Sequence, residues 1–91
     1  MTDYTGQIVR AAAGRDKDGL FYVVGRDREG RLLLCDGKRR RLARPKAKKP
    51  RHVELLEGAG HPAIQKLKQG ETLSDKALRR ALAAFRDQLE V

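Results

Sequence analysis

Hydrophobic positions come in short clusters through the first half of the chain, separated by glycine and charge, and in a helical stripe through the last third. Gln7–Ala13, preceded by Gly6, is partly β-branched and predicts a first strand of about six residues. Gly14-Arg15-Asp16-Lys17-Asp18-Gly19 follows as a charged loop with glycine at both ends. Leu20–Val24 is rich in β-formers and predicts a second strand. Gly25–Gly30 reads as a polar hairpin connection. Arg31–Cys35 predicts a third strand, ended by the turn dipeptide Asp36-Gly37. A short fourth strand is expected over Arg40-Arg41-Leu42. Pro45 and Pro50 exclude regular structure between them other than extended chain. His52–Leu56 can then supply a closing fifth strand. Short strands spaced about eight to twelve residues apart, with turn signals between them, predict a small barrel or sandwich.

The period changes after Glu57. Gly58-Ala59-Gly60 reads as a flexible joint, and His61-Pro62 opens a short helix with proline in its first turn. Ile64 and Leu67 share one side of that helix, and Gly70 ends it. Ser74 is a suitable N-cap for the next helix, and Asp75 complements its positive end. Leu78, Leu82, Phe85 and Leu89, with Ala77 and Ala81 beside them, make one apolar face. Such a stripe predicts packing against the strands.

Charge changes this picture most. Residues 1–36 carry six basic and six acidic side chains, and residues 54–91 again carry six and six. The whole formal charge of +9 therefore sits in residues 37–53, which hold nine Lys and Arg and no acid. Such density is self-repelling unless an anion neutralises it, and nucleic acid is the commonest cellular polyanion. A membrane surface is the main competitor. Four aromatics and no Trp limit what base stacking could contribute, and one Cys excludes an internal disulfide or a Cys-rich zinc site. No apolar run approaches the roughly twenty residues of a membrane span, and the polar start is unlike a signal peptide. The expectation is a cytoplasmic protein that does not enter membranes.

Gly6, Val9, Gly14, Arg15, Asp16, Lys17 and the strand Phe21-Tyr22-Val23-Val24 resemble a KOW motif, the first hairpin of an SH3-like barrel. With Asp36-Gly37, Arg40-Arg41, Arg44-Pro45-Lys46, Lys48-Lys49 and His52, the chain resembles small bacterial KOW-domain RNA-binding proteins, which are similar to eukaryotic and archaeal large-subunit ribosomal proteins. The resemblance covers residues 5–56 closely and 61–90 more loosely. It departs at one point: such proteins have Gly directly after the loop lysine, where this chain has Asp18 and then Gly19. Asp18 adds a carboxylate that would repel phosphate.

The expected fold is mainly β with α. An SH3-like five-stranded β-barrel, KOW hairpin first, spans residues 1–57 and includes the basic segment, and a two-helix extension over 61–91 packs on it. The resemblance implies structured RNA as the partner, ribosomal RNA or the ribosome first; the free protein is expected to be monomeric. Candidate RNA-binding residues are Arg15 and Lys17 in the first loop. In the basic segment they are Lys38, Arg39, Arg40, Arg41, Arg44, Lys46, Lys48, Lys49, Arg51 and His52. A proline-stiffened run of this kind can follow a phosphate backbone at little ordering cost, and Arg can pair bidentately with phosphate. No catalytic residue, metal or cofactor is expected. His52, His61 and Cys35 lack ligand spacing, Ser74 reads as a cap, and the glycine loop lacks a Walker ending. Two other readings stay open: a transcription-linked or duplex-DNA-binding KOW module, and a protein-interaction adaptor using the last helix.

Overall fold

The second predicted strand is the centre of the fold. In the computed structural model, which describes residues 4–56, 61–69 and 73–89, it runs from Leu20 to Arg26 (β2). β1 (Ile8–Ala11) and β3 (Leu32–Cys35) flank it, and β4 (Lys46–Lys48) and β5 (Val53–Leu55) complete one antiparallel sheet in the order β4-β3-β2-β1-β5. The run Leu20–Val24 has no polar position because β2 is buried on both faces. Phe21 and Val23 face one way, with Val9, Ala11, Leu32 and Leu34; Leu20 and Tyr22 face the other, with Ile8 and Cys35. The register sets this sorting by pairing Val9 with Phe21 and Ile8 with Tyr22. A bulge between Val23 and Gly25 then shifts the β2–β3 pairing.

Among the described residues no helix belongs to the Val9/Phe21/Val23 cluster, yet Val9, Ala11, Val23 and Leu32 are wholly buried. The sheet achieves this by rolling on itself. Val53 and Leu55 of β5 fold over the cluster. From the opposite edge, Lys48 Nζ donates to the Ala13 carbonyl at 2.6 Å. The Ala12 N–H, donating to the His52 carbonyl at 2.8 Å, extends the β1–β5 pairing by one rung. The expected closure into a barrel needs correction. Among the described residues no backbone ladder joins β4 to β5, so the sheet is rolled but open. Each edge strand has three residues, and a 3-10 turn over Pro50–His52 joins them directly. That leaves too little extended chain for a further ladder, and the link from β4 is instead the Lys48 side chain reaching Ala13, just after β1.

The fourth strand also needs correction: it lies at Lys46–Lys48, not Arg40–Leu42. The N–H groups of Lys38 and Arg40 both donate to Asp36 Oδ1 at 2.9 Å, which curls the chain into a tight turn. The Leu42 N–H goes to Asp75 Oδ1 at 2.9 Å, so residues 38–42 have few donors left for a ladder. Extended chain begins only after Pro45, within the proline-bracketed stretch.

The other face of the sheet is covered by α1 (Pro62–Gln69) and α2 (Asp75–Leu89). The His61 ring nitrogen Nδ1 accepts the Ala63 N–H at 3.1 Å, and Ser74 Oγ accepts the Ala77 N–H at 3.1 Å, so both helices start on a side-chain cap. Ile64, Leu78, Ala81, Leu82 and Phe85 are buried against Ile8, Leu20, Tyr22 and Cys35. Leu89 departs from the predicted stripe. It is 44% exposed, because it lies in the last turn of α2, beyond the part covered by the sheet and α1. The joint at 58–60 and the Gly70 stop lie outside the described residues.

Leu82 is 6% exposed within this shared core, so Leu82→Ala should cost about 2–5 kcal/mol, read as a lowered denaturation midpoint. Removing residues 61–91 should leave a sheet with one apolar face bare, largely unfolded or aggregated at 37 °C in a thermal melt. Unchanged melting of both variants would separate the helices from the core.

Candidate nucleic-acid interface

The first loop is a hydrogen-bonded turn. The Asp18 N–H donates to the Ala11 carbonyl at 2.8 Å, the Gly19 N–H to Asp16 at 2.9 Å, and the Ala11 N–H to Gly19 at 3.0 Å. Gly14 has φ +84° and Asp18 φ +70°, both left-handed. Asp18, at the point of departure from the KOW pattern, thus takes a conformation that glycine adopts freely and that Asp tolerates better than most residues. Gly19 serves a different need. A Cβ there would sit 3.0 Å from both the Phe21 ring and the Asp16 carbonyl.

The turn at 36–42 is fixed from two sides. Its Gly37 backbone lies against the first turn of α2, where a Cβ would collide with the Asp75 carbonyl. Arg79 Nη1 donates to the Gly37 carbonyl at 2.7 Å. On the other side, Arg40 Nη2 pairs with Asp16 Oδ2 at 2.9 Å, joining the turn to the first loop. Asp16's side chain is 8% exposed, so this pair is mostly withdrawn from water on the acid's side.

Rolling of the sheet brings β4 against the first loop. Between them lies a groove of about 340 Å³, walled by Gly14, Arg15 and Asp16 on one side and Lys46, Ala47, Lys48 and Lys49 on the other. Arg40, His52 and Arg31 complete it. Lys46 and Lys48 stand opposite Leu34 and Leu32, so their stems leave the apolar face while their charged ends reach its rim. Half of the candidate residues therefore share one groove: Arg15, Arg40, Lys46, Lys48, Lys49 and His52. Lys17 is exposed on the same loop. Arg51 lies in an adjoining cleft of about 450 Å³ with Lys49 and Arg31. Lys38 lies apart, in a cleft of about 320 Å³ against α2, while Arg39, Arg41 and Arg44 are exposed and line none of these three.

Two of the nine segment cations have internal partners. Arg40 holds Asp16, and Lys48 holds a carbonyl. Among the described residues the other seven have no carboxylate within ion-pair distance. Arg31 is a groove residue that the sequence reading missed. It sits just before β3, and Asp27 and Glu29 hold its guanidinium at 2.7 and 3.1 Å. Burial pushes the Asp27 carboxyl up, but the Arg31 and Glu29 hydrogen bonds outweigh it and hold the group below the usual carboxylate range.

The residues that might suggest catalysis are tied to structure. Burial first, then the carboxylates of Asp75 and Asp36, pushes the Cys35 thiol up to about 11, so it is protonated at neutral pH. His61 packs edge-on to Phe85 with centroids 5.5 Å apart, and Ser74 caps α2. Among the described residues no three His, Cys, Asp or Glu side chains are grouped to hold a metal ion. No described helix is long and apolar enough to cross a membrane.

Gly14→Val should destabilise the chain by about 1–2 kcal/mol, since a β-branched residue resists a positive φ, whereas exposed Lys17→Ala should change stability by less than about 0.5 kcal/mol. Paired thermal melts would read the difference; equal small effects would mean the loop is unstrained. Gly37→Ala should lower the melting point further than Ala substitution at exposed Arg39, because it forces α2 away from the turn.

No family model matches the chain, and no curated protein matches it, so the functional reading rests on the residues and geometry described above.

Proposed function

We propose that the chain is a non-catalytic RNA-binding protein that recognises structured RNA, ribosomal or ribosome-associated, mainly through phosphate contacts. The observation that carries this reading is the groove beside Gly14. Three segments distant in sequence converge there, and each brings cations to one concave surface. Cations gathered in a concavity raise the local potential more than the same cations spread over a convex surface. The rolled five-stranded sheet, with its 3-10 turn between the last two strands, is the architecture from which we infer an SH3-like fold of the KOW kind.

The side chains favour backbone contact over base stacking. Phe21, Tyr22 and Phe85 are buried and Tyr4, packed on the inner cluster, is partly buried, so among the described residues no Phe or Tyr offers a fully exposed ring. Contacts of this kind position a protein on folded RNA and carry little sequence information. Duplex DNA remains the competing ligand, and contacts to the 2′-OH would separate the two. The adaptor reading is weaker, because Leu78, Leu82 and Phe85 are spent on the protein's own core.

If about four to six phosphates are neutralised, log affinity for a structured ribosomal RNA fragment should fall against log salt with a slope of roughly −3 to −5. Filter binding or fluorescence anisotropy would measure it. Lys46→Gln with Lys49→Gln should weaken binding to unrelated folded RNAs alike and make the slope shallower by about 2. These two are preferable to Arg40 and Lys48, whose internal partners would confound the result. A salt-independent affinity would sink the electrostatic reading.

A further inference from the structure

The cleft of about 450 Å³ beside Arg51 continues the groove rather than standing apart from it. Arg31 and Lys49 line both, so the two hollows share one cationic wall. The second hollow lies between the β2–β3 hairpin turn and the 3-10 turn before β5. Three cations line it, Arg31, Lys49 and Arg51, against one carboxylate, Glu29. Lys49 and Arg51 are exposed and have no ion pair among the described residues. An anion is therefore drawn into this hollow as it is into the groove.

The two acids on Arg31 hold it in different ways. Asp27 is built into the turn, with its side chain 22% exposed. Its Oδ1 accepts the N–H groups of Glu29 and Arg31 at 2.9 Å each, and its Oδ2 accepts Arg31 Nε at 2.7 Å. One carboxylate thus fixes both the backbone and the guanidinium of Arg31, and it occupies only the Nε donor. Glu29 meets Arg31 Nη2 at 3.1 Å from a side chain that is 72% exposed, and this is its one ion pair among the described residues. An exposed pair of that kind is weak and easily exchanged for another anion.

Resting on the RNA-binding reading above, we propose that this second hollow takes further phosphates of the same RNA backbone, with Arg31 and Arg51 as its binding side chains and Glu29 as a resident counter-ion that phosphate displaces. Asp27 stays on Nε throughout. Arg31 then meets phosphate through Nη1 and Nη2 with its orientation already set, so little ordering is left to the complex. Glu29 has the complementary role. In the free protein it offsets repulsion among Arg31, Lys49 and Arg51, and in the complex it swings out to water. Arg31, which carries two acids and so looks neutralised, becomes the joint of the phosphate path.

The test is anisotropy on the structured ribosomal RNA fragment across a salt series, with the full-length chain. Arg51→Gln should make the salt slope shallower by about 1. Arg28→Gln should leave it nearly unchanged: it makes the same charge change at an exposed position of the hairpin turn that lines neither hollow. Glu29→Gln should tighten binding about threefold at low salt. Glu54→Gln, which removes an exposed carboxylate of β5 outside both hollows, should change it by less than about 1.5-fold. With Arg31→Gln in place the gain from Glu29→Gln should shrink to about 1.5-fold, because no pair is left to exchange. Thermal melts establish that each variant is folded; Arg51 and Glu29 are exposed, so their variants carry the test even where Arg31→Gln melts low. The proposal is overturned if Arg51→Gln shifts the slope no more than Arg28→Gln. It is equally overturned if Glu29→Gln tightens binding no more than Glu54→Gln, or by the same factor with and without Arg31. Lys46 lines the groove and not the second hollow, and so separates the two readings. Weakened binding by Lys46→Gln keeps the groove as the RNA site when the extension fails, whereas absence of any RNA binding removes both.

Discussion

A sheet whose central strand is apolar on both faces has to be covered twice, and a chain of this size has one helical pair with which to do it. The helices take the Ile8/Tyr22 face. The Val9/Phe21 face is left to the sheet itself, which buries it by rolling, with Val53 and Leu55 of β5 packed on the cluster and Lys48 of β4 reaching Ala13. Burial of apolar area contributes roughly 25 cal/mol per Å², and it favours rolling even though the seam lacks a backbone ladder. The candidate site follows from that requirement. Rolling is what carries Lys46–Lys48 over to Ala13 and Gly14 and turns a linear run of charge into a groove.

The charged segment is consequently two things at once. Its first part is fixed structure: Asp36, Asp16 and Asp75 each capture donors from residues 38–42. Three carboxylates placed among neighbouring cations offset part of the repulsion that nine like charges would otherwise bring to the fold. Its later part, from Lys46 on, is a short edge strand followed by a 3-10 turn, and of its cations Lys48 alone has an internal partner among the described residues. An edge strand carrying Lys at alternate positions also resists pairing with another sheet, so the same residues that attract a polyanion discourage aggregation.

Periodicity and turn residues made most of the fold legible in the sequence. The strands at Ile8–Ala11, Leu20–Arg26, Leu32–Cys35 and Val53–Leu55 fall where β-formers alternate with glycine turns, and the Ser74 cap marks the start of α2. What could not be read depended on partners distant in sequence. Residues 40–42 carry no mark that the Leu42 N–H would go to Asp75, 33 positions later. Asp75 itself was legible as a helix-end charge, but its role as a tether was not. Arg31 read as the start of a strand, since its place in the groove depends on how the edges roll. Leu89 obeys the helical period and is exposed all the same, because periodicity reports a face and says nothing about where the covering surface stops. Sequence placed the cations; which of them Asp16 and Ala13 would engage was a matter of geometry.

The tether from Leu42 to Asp75 has a consequence in time. A chain emerging residue by residue completes β1, β2 and β3 before α2 exists, and the basic turn then has no acceptor for its Leu42 N–H and no surface under Gly37. The hairpins can form early, since their contacts are local and local contacts close fastest. The turn that joins them to the charged segment reaches its final shape only when α2 docks. The shape of the basic turn is thus coupled to an element made after it, and a half-made chain displays the charge without the geometry.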